Sequence, residues 1–159
     1  MSIFSVAVSL HSETRSADEL TALAGTEPTN SHTKGDRRSQ RLPTDKVYEQ
    51  NVWTKSSGVE LDTWTLEPHW PTIAPVLESL ATHDMSGVQV SLSIGTNARG
   101  SGFAFDLDPG QIDLLSRAGC GVWIDSYPPN PDPDDRPADY PYPAGGTLNE
   151  RTPPRGSLS

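Results

Sequence analysis

The chain lacks several things that would narrow its class. It has one cysteine, Cys120, so no intramolecular disulfide can form and nothing points to an oxidising compartment. Cys120 lies between Gly119 and Gly121 at the head of an apolar run, where a thiol reads as a small buried hydrophobe rather than a nucleophile. No apolar run approaches the ~20 residues needed to span a bilayer. The N-terminal MSIFSVAVSL has no basic segment and no continuous apolar core; it alternates, which is a strand pattern and not a signal peptide. The expected address is the cytoplasm.

Positive charge is scarce too. Twelve Lys and Arg face twenty-one Asp and Glu, a net charge of -9. Phosphate backbones and anionic membranes attract basic surfaces, so neither nucleic acid nor membrane is an expected partner. Recognisable catalytic motifs are missing. There is no Gly-x-Ser-x-Gly elbow, no Gly-rich phosphate loop and no Ser–His pairing that the sequence supports. Histidines 11, 32, 69 and 83 have no ligand spacing, and with one cysteine a zinc site would need long-range assembly; no metal or cofactor is expected.

Only 33% of the residues are hydrophobic. The deficit is concentrated after Tyr127, where 128–159 hold nine of the fifteen prolines and, as aliphatics larger than alanine, only Leu148 and Leu158. Such a segment cannot bury enough surface to offset its ordering entropy and reads as a disordered, Pro-rich tail. Residues 1–127 read as one folded domain, with sixteen acids against nine bases.

Within it, Phe4, Val6, Val8 and Leu10 mark a first strand over 3–10. Ser16 and Glu19 form a capping box for a short helix with Leu20, Leu23 and Ala24 inward, and Gly25 stops it. Residues 29–46 are polar, without periodicity, and read as a loop. Val47–Thr54 and Leu61–Leu66 read as two strands joined at Ser56-Ser57-Gly58. Trp70, Ile73, Leu77 and Leu80 have helical spacing, although Pro75 argues for a kink or a later start. Val88, Val90, Leu92 and Ile94 alternate with polar residues as a strand wet on one face. A hairpin at 97–102 would return it through Phe103, Phe105 and Leu107. Asp108, Pro109 and Gln111 open a helix with Ile112, Leu115 and Ala118 inward, and Val122–Tyr127 closes the domain. The expected fold class is α+β, a mainly antiparallel sheet with three helices in β-α-β-β-α-β-β-α-β order, its first six elements ferredoxin-like.

The first strand, ADELTALAGTEPT, the Lys34-Gly35 pair, the strand ending in Trp64, VQVSLSI and GVWIDSY with Asp125 and Tyr127 occur in an order that resembles the bacterial family named domain of unknown function 4279. The resemblance covers about residues 3–127. It implies a bacterial, intracellular, single-domain protein and implies no activity.

Two functional readings follow. Lys34, Arg37 and Arg38 sit in the 29–46 loop, which holds five of the domain's nine basic residues, and that loop leads towards Trp53 and Trp64. Arginine and tryptophan are the usual anchors of protein interfaces, so these five residues define a possible binding face for a partner protein. The favoured reading is a non-catalytic module of immunity or accessory type. The alternative is a small-anion or metabolite site, with or without catalysis, that joins Lys34 and Arg37 to Asp125. Asp125 interrupts an apolar strand and reads as structural or as an acid–base group.

Overall fold

The computed structural model describes residues 2–38, 46–60, 63–97 and 106–127. Eight elements follow one another: β1 (Ser2–Ser12), α1 (Ala17–Ala24), β2 (Asn30–His32), β3 (Asn51–Ser56), α2 (Trp70–Leu80), β4 (Gln89–Asn97), α3 (Pro109–Arg117) and β5 (Cys120–Tyr127). The five strands form one sheet in the order β2-β3-β1-β4-β5. All pairs are antiparallel except β4 with β5, which is parallel. The first four strands therefore keep the ferredoxin-like order, and α3 carries the chain to a fifth strand added beside β4. This is the expected α+β class, with a mixed, mostly antiparallel sheet.

Alternation decides which face is covered. Val6, Val8 and Leu10 of β1, Trp53 of β3, and Val90, Leu92 and Ile94 of β4 are buried against Leu20 and Leu23 of α1, Ile73, Val76, Leu77 and Leu80 of α2, and Leu114 and Leu115 of α3. The opposite face carries Ser5, Ala7, Ser9 and His11 on β1 and Gln89, Ser91 and Ser93 on β4. Ile3 belongs to the core although it is out of phase with Val6, because a register shift between Ile3 and Ser5 turns the strand over.

The helix ends form as their local chemistry dictates. Ser16 and Glu19, and likewise Asp108 and Gln111, complete capping boxes, and Gly25 closes α1 at φ 68°. Pro75 lies inside α2. The carbonyl it leaves without a donor is that of Pro71, and both prolines face solvent, so water can serve that group. In α3 the buried stripe is Gln111, Leu114, Leu115 and Ala118; Ile112, expected inside, is 53% exposed.

Two strand assignments are corrected. Residues 30–32, expected within a loop, form β2; a three-residue polar edge strand has no apolar face to betray it. Residues 63–66 do not form a strand beside β3. Thr63 makes only an isolated bridge to Ile3, and Leu66 turns into the core ahead of α2. Residues 61–62, positions 103–105 of the expected returning strand and the tail at 128–159 lie outside the described residues; Leu107, the last position of that expected strand, belongs to no strand.

Candidate functional site

The residues singled out from the sequence do not converge on one place. Beyond β2 the chain continues as a narrow ribbon. Gly35 N–H donates to the Tyr48 carbonyl at 2.8 Å, Tyr48 N–H to Asp36 at 2.9 Å, and Arg38 N–H to Lys46 at 3.0 Å. Gly35 adopts φ 94°, which a side chain would resist. The Thr33 N–H is held by the Asp36 carboxylate at 2.8 Å. On this arm the His32 and Tyr48 rings stack with centroids 4.1 Å apart, and the Arg38 guanidinium lies 5.6 Å from the Tyr48 ring centre. Lys34, Arg37, Arg38 and Lys46 are exposed, and none forms an ion pair among the described residues, where the single pair is Arg117–Asp113.

The two tryptophans are elsewhere. Trp53 is fully buried opposite Leu10, so it offers no surface to a partner; its indole N–H has no acceptor among the described residues. Trp64 is 75% exposed but follows Thr63, which bridges Ile3, whereas the arm is tied to Asn51, which faces Ser12. Nine residue steps along β1 separate those points, about 30 Å. Asp125 is exposed on the uncovered face of β5, paired with Gly95, four strands from β2 and about 19 Å across the sheet. The basic arm and Asp125 therefore occupy opposite edges and share no site.

The structure adds two arrangements that sequence reasoning missed. At the arm's end of the sheet lies an open cleft of about 470 Å³, lined by His11, Glu13, Thr14, Gln50, Val88 and Gln89 with Gly87 at its rim. Three chain segments build it, so no local motif announces it; the sole signal was His11 on the polar phase of β1. Its walls are fixed from below. Buried Ser12 donates to the Gly87 carbonyl at 2.8 Å and accepts the Arg15 N–H at 3.0 Å. The Asn51 side chain accepts the Lys34 N–H at 2.8 Å and donates to the Arg15 carbonyl at 3.0 Å, which ties arm and cleft together. Burial holds the His11 pKa below its ordinary value, so the ring is neutral at neutral pH.

At the other end, His69 is fully buried at the N-cap of α2. Its Nδ1 lies 2.8 Å from the Ser57 hydroxyl and its Nε2 2.9 Å from that of Thr63. Thr63 donates to the Thr65 carbonyl, so it accepts from Nε2–H, and the Ser57 hydroxyl donates to Nδ1. A serine–histidine pair thus exists after all. It is sealed, however: both residues are buried, and the third member is a hydroxyl, which cannot stabilise an imidazolium as a carboxylate does. Cys120 is also unreactive, its thiol pushed up to about 11 by burial. Among the described residues no three His, Cys, Asp or Glu side chains gather as a metal set, and no helix is long and apolar enough to cross a membrane.

The fold and its ends define a class: a helix-backed, open-faced α+β domain, with a basic arm and a polar cleft at one end of its sheet. A family model described as a domain of unknown function (DUF4279) matches residues 2–129, and the chain belongs to that family. No curated protein and no solved structure shows a match.

Proposed function

We propose that the protein is a non-catalytic protein-binding module whose basic arm holds an acidic patch on a partner protein. The observation that carries this reading is the arm itself: four exposed cations without ion pairs among the described residues, backed by a stacked tyrosine, on a chain of net charge -9. Arginine and tyrosine are enriched where interfaces form, and local charge complementarity steers encounter. The acidic remainder repels an extended polyanion but tolerates a compact acidic patch. Lys34, Arg37 and Arg38 supply the contacts, Trp64 stands outside the footprint, and an immunity-type or accessory role fits such a module.

The test is capture from host lysate on immobilised full-length chain. Arg37→Glu with Arg38→Glu should lower recovery of the captured protein at least tenfold without changing the circular dichroism or melting temperature. Recovery should also fall as salt rises, and Trp64→Ser should capture as the parent does. Undiminished capture by the folded double variant overturns the reading.

A further inference from the structure

The cleft at the His11 end has properties that protein capture by the arm does not use. Its polar side chains hold unspent hydrogen-bonding capacity: among the described residues, those of His11, Glu13, Thr14, Gln50 and Gln89 form no hydrogen bond. Its size lies within the ~300–1,000 Å³ typical of small-molecule sites. The backbone that carries these side chains is tied down by the Ser12 and Asn51 bonds, so the segments need not rearrange to receive a ligand.

From this wall chemistry we infer that the cleft binds a neutral, polyhydroxylated small molecule of saccharide type. Hydroxyl groups both donate and accept. So do a neutral imidazole, a threonine hydroxyl and two carboxamides, and the Glu13 carboxylate can accept from adjacent hydroxyls. Val88 and Gly87 supply the small apolar surface that the C–H face of a sugar ring needs. An anion would meet Glu13, the one charged group on the wall, with no wall cation to offset it. A cation would find one exposed carboxylate and would leave the donor halves of Gln50 and Gln89 unused.

The experiment is an NMR titration of the full-length chain with D-glucose, D-galactose and N-acetyl-D-glucosamine, reading the His11 ring and the Gln50 and Gln89 side-chain amides. At least one sugar should give saturable shifts confined to the cleft, with a Kd on the order of 1 mM for a monosaccharide. Gln50→Ala with Gln89→Ala should weaken that binding at least tenfold while backbone shifts elsewhere stay in place. Three results overturn the assignment: no saturable shift up to about 100 mM sugar, unchanged affinity in the double variant, or shifts at these residues with putrescine or inorganic phosphate and with none of the sugars. Capture by the arm is read separately, through Arg37 and Arg38, so either reading can fail alone.

Discussion

Two histidines lie at opposite ends of the same sheet, and burial lowers the pKa of both, yet they belong to different kinds of structure. His69 is sealed. Both ring nitrogens are bonded to hydroxyls, one from the end of β3 and one from the segment bridged to β1, and the residue stands at the N-terminus of α2. His11 lines an open cleft, and its ring has no partner among the described residues. One end of the molecule has used its polar groups to close itself; the other holds them in reserve. Satisfied buried polar groups rigidify, whereas unsatisfied groups at a surface are available to a ligand.

The largest expected effect breaks the sealed end. His69→Ala should destabilise the protein by about 2–4 kcal/mol, because it opens a cavity and leaves the buried Ser57 hydroxyl without its acceptor. His11→Ala should stay within about 0.5 kcal/mol, since His11 lines an open cleft and its ring forms no hydrogen bond among the described residues. Urea unfolding of both variants checks this. Equal losses would erase the distinction between the two ends.

Acid should sharpen the same contrast. The unfolded chain takes up a proton on His69 near 6.5, whereas the folded chain resists it to lower pH because the ring is buried. Below 6.5 the unfolded state binds more protons, so stability falls as pH falls through this window and is flat above it. The slope from one histidine is at most about 1.4 kcal/mol per pH unit. His11 contributes with the same sign. The depressed carboxyls of Glu19 and Asp84 act in a separate window, below their ordinary values near 4. His69→Asn, which cannot titrate, should flatten the dependence of the urea midpoint between pH 6.5 and 5. An unchanged slope would move the acid sensitivity away from the sealed end.

What the sequence disclosed follows the range of the interactions. Capping boxes act over three residues, and strand alternation over two, so α1, the start of α3 and β4 were legible. The α+β class followed from those elements and their order. β2 was not legible, because a polar edge strand is defined by its partner β3 rather than by its own pattern. The phase change at Ile3 was hidden because a bulge leaves no residue signature. The Ser57–His69 bond crosses twelve residues, and the cleft joins three segments, so neither has a local spacing to detect. The expected site residues were separated for a related reason. Sheet order puts the basic arm and Asp125 at opposite edges, and the core claims Trp53, which nothing in the sequence distinguished from Trp64.

A smaller loss than that at His69 is expected from what keeps the open end in shape. Asn51 joins the arm to the turn under the cleft through two hydrogen bonds, and it is half-buried. Neutral bonds in such a setting contribute about 0.5–1.5 kcal/mol each, so Asn51→Ala should cost about 1 kcal/mol in total once water replaces part of what is lost. The spatial pattern is more diagnostic than the size. The Lys34 amide, which donates to Asn51, should exchange its hydrogen faster in the variant. The amides of Ser57 and His69, which donate to the Val6 and Leu66 carbonyls, should keep their parent rates. Faster exchange at all three would mean that the substitution loosens the whole domain. An unchanged Lys34 rate would mean that the backbone ladder between Gly35, Asp36 and Tyr48 holds the arm without Asn51, and the two functional regions would then be mechanically independent.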